Sequence, residues 1–233
     1  TGHYIKSQLI GDEHGLFVAD DKEKDQSYFL FQTKKKDLNF LRFPLGSISK
    51  IETRKLAEKY EITVANKLES QDICFIPDGN YRKFLSKYQG FGIRGKIVDL
   101  QGNVLGEHGG IENYTIGQRK KLNISTGFPM YVIKILRDEN KIVIGKKEKL
   151  EEKKISISNF NWIGPGKKEA SSYLENIKVK VRARQDPVLG TINFYNQNTA
   201  NVNLSTATYG VAKGQGCVFY SNDNQLLGGG WIV

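Results

Sequence analysis

The chain has 233 residues, 39% hydrophobic and 26% charged, and lysines and arginines outnumber acids 35 to 25 for a formal charge of +10. That composition is globular, with enough apolar side chains to bury a core. No apolar run is long enough to cross a bilayer and no signal-peptide pattern opens the chain. Two distant cysteines and three scattered histidines form neither a disulfide framework nor a metal-ligand cluster, so a reducing, cytosol-like compartment is expected.

In chain order, "TGHY" opens without an initiator methionine (the only methionine is Met130), so an incomplete translation product is expected. Its Gly-His pair lets backbone approach a phosphate or base, although a lone histidine is more often structural. Residues 7–20 alternate apolar and polar side chains around a Gly-Asp-Glu-His-Gly turn, which suits a hairpin. "KDQSYFLFQ" suits the start of a helix. Its Lys24, Asp25 and Gln26 set a cation, an acceptor and a bifunctional amide in a row, the groups that hold an unstacked base. An ordinary helix N-terminus accounts for the same three residues.

"SISKIETRKLAEKY" predicts a helix: Ser49 caps it, Glu52 completes a capping box, and Leu56 and Tyr60 share a face. "LESQDICFIPDG" carries Cys74 among Glu69, Gln71, Asp72 and Asp78. A thiol reacts as thiolate, and neighbouring carboxylates disfavour that form. The residues alone favour a small core hydrophobe in "ICFI", while a persulfide carrier remains open because its outer sulfur is the reactive atom. "DGNYRKFLSKYQG" spaces Tyr81, Phe84, Leu85 and Tyr88 as a short helix ended by Gly90.

After Gly90 the chain turns to short β runs separated by Gly, Asn and Asp. From "KVKVRARQ" onward its short strands and regular turns predict a small barrel. Boundaries fall near residues 85–92 and 150–155. Cations cluster at "QTKKKD", "GQRKKL", "GKKEKLEEKK" and "VKVRARQ", which raises the local density of a polyanion and points to nucleic acid. "VRARQ" is expected to be strand, which puts Arg182 and Arg184 on one face where they can meet successive phosphates. The turn "KGQG" can present Gln215.

Read together, "TGHY", "KDQSYFL", "FPLG", "SQDICFIP", "GEHGGIENYTIGQRK", "YVIKI", "VKVRARQ", "GQGCVFY" and "LLGGGWI" resemble, in content and order, the series of the tRNA-specific 2-thiouridylases. These sulfurtransferases replace O2 of the wobble uridine by sulfur. The resemblance covers essentially the whole chain. It implies an α+β multidomain fold: residues 1–84 as the tail of an ATP-pyrophosphatase (Rossmann-like) α/β domain, 85–152 as a central β-rich domain, and 153–233 as a β-barrel like domain 2 of elongation factors.

It further implies that Cys74 carries the persulfide, that Gly2 contacts ATP, and that His3, Lys24, Asp25, Gln26, Arg182, Ala183, Arg184 and Gln215 contact tRNA. The register at 182–184 stays open by one residue. The implied substrates are tRNA and ATP, with Mg expected beside it and no metal site in the chain. The implied protein partner is a sulfur donor, a cysteine desulfurase or a relay protein, in the cytoplasm and away from membranes.

The chemistry implied is adenylation of O2 of a flipped-out uridine, then transfer of the persulfide sulfur to C2. A second cysteine closes a disulfide on Cys74 or releases sulfide from it. The family's nucleotide loop, catalytic aspartate and first catalytic cysteine lie upstream of "TGHY", so the chain is expected to be an incomplete portion of the enzyme, inactive alone. Cys217, in "GCVFY", reads as core packing. Lys121 stands where the family usually has glycine, and Lys213 where it usually has proline. The alternative is a stand-alone tRNA-binding module without catalysis, against which the retained "SQDICF" argues.

Overall fold

The structure, a computed structural model, describes residues 1–63, 92–166, 172–196 and 198–233. In chain order its elements are β1 (Lys6–Ile10), β2 (Glu13–Phe17), α1 (Lys50–Lys59), β3 (Gly95–Val98), β4 (Val104–His108), β5 (Tyr131–Leu136) and β6 (Lys141–Gly145). The last six strands are β7 (Glu151–Trp162), β8 (Tyr173–Lys180), β9 (Val188–Phe194), β10 (Thr199–Tyr209), β11 (Gly216–Tyr220) and β12 (Gln225–Ile232). They form two compact units: Thr1–Lys67 with Glu152–Val233, and Leu68–Glu151.

In the first unit the strands run β12-β11-β8-β9-β10-β7, and β7 pairs back onto β12 to close a six-stranded barrel. Closure removes the open edges that would otherwise template aggregation. Alternation fills the interior: Ala200, Val202 and Leu204 of β10 point in, while Asn201 and Asn203 between them are partly exposed. The β1–β2 hairpin turns at Gly11 and Asp12, with Ile10 opposite Glu13 and Gly11 at φ +60°. Leu16 and Phe17 of β2 then pair with Leu226 and Gln225 of β12.

β12 therefore changes neighbours along its length, from β2 at Gln225–Leu226 to β7 from Gly228 onward. The switch falls on Gly228 at φ +137°, where a Cβ would overlap the Asn161 carbonyl oxygen. Only glycine fits that approach.

β11 explains why "GCVFY" is apolar throughout. Cys217 and Phe219 face the barrel interior with Ile192 and Phe194. Val218 and Tyr220 face a second core with Ile5, Leu16, Phe31, Leu38 and Leu226. Both faces of the strand are covered, so the usual in-out alternation of side-chain polarity disappears. Each such large apolar side chain contributes about 1.5–3 kcal/mol of burial, and this second core fastens the N-terminal segment to the barrel wall.

α1 carries the capping box that its sequence predicts. The Glu52 N–H donates to Ser49 Oγ, and Glu52 Oε2 accepts the Ser49 N–H at 2.7 Å. No residue of α1 is buried, and Leu56 and Tyr60 are both exposed. The helix expected from "KDQSYFLFQ" is instead one 3-10 turn, Ser27–Leu30, because the Asp25 and Gln26 side chains accept from backbone N–H groups earlier in the chain, at Ala19 and Tyr4. Among the described residues of 1–63 the regular elements are this turn, a second 3-10 turn at Lys35–Asp37, the hairpin and α1.

The second unit is a four-stranded sheet ordered β4-β3-β6-β5, with β3 parallel to β6 and the other pairs antiparallel. Ile97, Leu122, Val132, Ile142 and Ile144 form its core. His108 is buried there: the Gly110 N–H donates to its Nδ1, so Nε2 carries the proton and donates to the Asn140 carbonyl at 3.1 Å. It is a structural histidine. The helix expected at residues 80–90 and the Cys74 stretch lie outside the described residues.

Candidate nucleic-acid interface

The segment 24–28 is built by its own side chains. Asp25 accepts from the N–H groups of Ala19 (3.0 Å) and Ser27 (3.2 Å) and from the Ser27 hydroxyl (2.6 Å). The single Ser27 proton goes to Asp25, so the Tyr220 hydroxyl, 3.1 Å away, donates to Ser27. Gln26 and Tyr4 exchange two bonds of 2.9 Å: the Tyr4 N–H donates to the Gln26 side-chain oxygen, and the Gln26 N–H donates to the Tyr4 carbonyl. His3 precedes that pair, with Nδ1 2.6 Å from the Thr1 hydroxyl, and Gly2 is exposed. The carboxylate of Asp25 and the amide oxygen of Gln26 are thus structural, whereas the Gln26 NH2 group makes no bond among the described residues. Lys24 is half-buried.

Tyr28 carries this segment to the barrel end. Its hydroxyl lies 2.9 Å from the carbonyl of Gly216 and 3.1 Å from that of Val181. One carbonyl begins β11 and the other follows β8, so a single side chain spans the two loops that hold Gln215 and Arg182. Burial pushes the Tyr28 phenol up to about 12. Lys180 completes the neighbourhood: burial lowers its pKa, and the charges of Asp25 and Asp186 oppose that shift.

"VRARQ" is not strand at the arginines. β8 ends at Lys180, Arg182 sits in a bend and Arg184 in a turn leading to Asp186 and Pro187. The shared strand face expected for the two guanidiniums is therefore absent. Proline restricts the residue before it and supplies no N–H, which suits a turn rather than continued pairing. Arg182 donates through Nε (3.1 Å) and Nη2 (2.9 Å) to the Gly210 carbonyl, tying the β8–β9 loop to the β10–β11 loop. Ala183 packs against the second core, and Arg184 is exposed. The Gln215 N–H donates to Ala212, its carbonyl accepts from Ile232, and its side-chain oxygen is buried with no bond among the described residues.

Hydrogen bonds thus join Gln26 to Tyr4, and Tyr28 to the loops that hold Gln215 and Arg182, while Ala183 packs against the second core and Gly2 and Arg184 are exposed. Cys74 lies outside the described residues. Sequence reasoning missed Ser27, Tyr28, Lys180 and Tyr220, because each sits in an apolar run or a lysine alternation with no local signature. Cys217 is fully buried in the barrel core and burial pushes its thiol up, which keeps it unionised. Among the described residues no three of His, Cys, Asp and Glu gather as metal ligands, and no helix is long and apolar enough to cross a membrane.

Three family models match the chain in succession: "tRNA methyl transferase HUP domain" over residues 1–78, "tRNA methyl transferase PRC-barrel domain" over 82–146, and "Aminomethyltransferase beta-barrel domain" over 152–232. Curated relatives match throughout. The tRNA-specific 2-thiouridylase MnmA of Hyphomonas neptunium is 42% identical over 237 residues, covering 100% of this chain and 60% of the relative. Those of Jannaschia sp. and Rickettsia massiliae are 43% and 44% identical, again over 100% of this chain and over 62% and 63% of the relatives. The chain belongs to the family of the tRNA-specific 2-thiouridylases MnmA. It spans about three fifths of the length of these relatives.

Proposed function

We propose that the protein takes part in ATP-dependent 2-thiolation of the wobble uridine of tRNA, supplying the tRNA-binding surface and the sulfur-carrying cysteine. The observation that carries this reading is the joining of the "KDQ" segment to the barrel end through Tyr28, in a family whose named members act on tRNA. Lys24 and Arg184 bring positive charge, the Gln26 NH2 offers donors, and the net charge of +10 favours a polyanion. His3 stands beside the Tyr4–Gln26 pair, where a base drawn out of its stack meets it.

In this reading ATP is a substrate, with Mg expected beside it. Among the described residues only Gly2 is assigned to ATP. It is open, with Leu45 Cδ1 3.9 Å from where a Cβ would stand, and it forms no phosphate cradle by itself. Sulfur transfer rests on Cys74: the outer persulfide sulfur bonds to C2 of the adenylated uridine and AMP leaves. A second cysteine then attacks Cys74 Sγ, forming a disulfide with it and breaking the S–S bond, whose electron pair leaves on the uridine sulfur. In the alternative order the same attack first releases sulfide from the persulfide, and that sulfide bonds to C2 as AMP leaves. The donor that loads Cys74 is a desulfurase or a sulfur-relay protein, and the compartment is the cytoplasm.

The domain descriptions mention methyl transfer where the relatives are named for thiolation, and nucleoside mass spectrometry separates the two. tRNA from source cells lacking the protein should lose 2-thiouridine and keep its methylated nucleosides. Loss of a methylated nucleoside with 2-thiouridine unchanged refutes the reading.

A further inference from the structure

The four-stranded unit has a feature that the barrel-end site does not use. Between Leu122 and Tyr131 the chain projects Phe128, 52% exposed, at the tip of a turn. The turn is closed by its own bonds: the Thr126 hydroxyl donates to the Phe128 carbonyl at 2.8 Å, and the Phe128 N–H donates to the Thr126 carbonyl. Gly127 at φ +49° lets the chain reverse there. An aromatic ring is thus held outward by local structure.

Phe128 separates two depressions. One, of about 740 Å³, is apolar at its base, with Leu100, Leu105, Met130 and Ile144, and has Lys146 and Lys149 on its wall. The other, of about 420 Å³, is lined by Arg119 and Lys121. The ammonium of Lys146 stands 5.2 Å from the Phe128 ring centroid. Four cations and two carboxylates, Asp99 and Glu148, line the pair of depressions. Both Asp99 oxygens are engaged by Gln101 and Asn103 of its own turn.

An outward aromatic flanked on both sides by cations, with apolar side chains lining the larger depression, matches what unpaired nucleotides need. A base stacks on the ring or enters a depression, and the phosphates on either side of it meet lysine and arginine. An apolar protein segment would leave four cations without partners, so charge complementarity selects the polyanion. The geometry points to a second RNA contact on the four-stranded unit, in which Phe128 stacks an unpaired nucleotide of the substrate and Arg119, Lys121, Lys146 and Lys149 hold its phosphates. The inference rests on the reading that the chain handles tRNA, and it adds a contact remote in sequence from residues 24–28 and 182–215.

The test uses the full chain with a short oligouridylate and, separately, tRNA. Ultraviolet cross-linking with peptide mapping should place oligouridylate on the peptide carrying Phe128. Phe128→Ala should weaken oligouridylate binding about tenfold, and Phe128→Tyr should retain it. Equal affinity in all three proteins, as a protein-docking groove would give, or cross-links that avoid this peptide, overturns the inference. If tRNA is not bound while oligouridylate behaves as stated, the proposed function falls and the RNA groove stands. If tRNA is bound and Phe128→Ala changes no RNA affinity, the groove falls and the proposed function stands.

Discussion

The hydroxyl of Tyr28 reaches the carbonyl of Gly216 at 2.9 Å, across 188 positions of sequence. It is also 3.1 Å from the Val181 carbonyl, so one phenol sets the spacing between the strand that follows Gln215 and the loop that holds Arg182. Tyr28→Phe keeps the ring and removes the single proton that the two buried carbonyls share. Unfolding stability should fall by about 1–2 kcal/mol in a denaturant titration. tRNA affinity should fall as well, since Gln215 and Arg182 lose their common anchor. Unchanged affinity would show that the two loops hold their spacing without Tyr28.

The same residue sets a pH dependence. Burial raises the Tyr28 phenol from 10.0 to about 12, so between these values the unfolded chain loses a proton that the folded chain keeps. The stabilisation is complete below pH 10 and is lost as pH rises toward 12. Tyr220, whose phenol burial also raises, acts in the same direction, whereas the lowered Lys180 acts oppositely. The difference between wild type and Tyr28→Phe isolates the Tyr28 part. Urea midpoints at about pH 9 and about pH 11 should show a smaller drop in the variant than in the wild type. Equal drops would contradict the assignment.

Lys121 adopts φ +64°, in the left-handed region that costs a residue with a Cβ about 1–2 kcal/mol. Glycine, which the family resemblance leads one to expect at this position, adopts that conformation without the cost. Lys121→Gly should therefore leave stability equal or raise it by up to about 1 kcal/mol, the relieved strain being partly offset by glycine's greater chain entropy. The variant should also flatten the salt dependence of RNA binding by one phosphate contact. A clear loss of stability would mean that the lysine side chain is itself a structural contact.

Local signals in the sequence were legible wherever one segment settles its own structure. The Ser49–Glu52 capping box, the hairpin at Gly11 and the barrel-like spacing of strands from Lys178 onward all stand in the fold, and the barrel also takes in β7 and the start of β8. What sequence could not show depends on partners distant in the chain. The 3-10 turn at Ser27 replaces a helix because Asp25 and Gln26 bond backward to Ala19 and Tyr4. Arg182 leaves the strand for a carbonyl 28 positions away. Tyr28 and Tyr220 read as core aromatics, and only the folded chain shows that their hydroxyls join Ser27, Val181 and Gly216. For the candidate interface, motif resemblance supplied residues but none of the bonds around them.

The most direct measurement is the 2-thiouridine content of tRNA in source cells whose only copy of the protein carries Cys74→Ser, with tRNA affinity of the purified variant measured in parallel. The account predicts that 2-thiouridine disappears while affinity stays within about twofold of wild type, a difference of less than about 0.5 kcal/mol. Retained 2-thiouridine would contradict the assignment of Cys74 as the sulfur carrier. Loss of 2-thiouridine together with tRNA affinity would make Cys74 a structural residue.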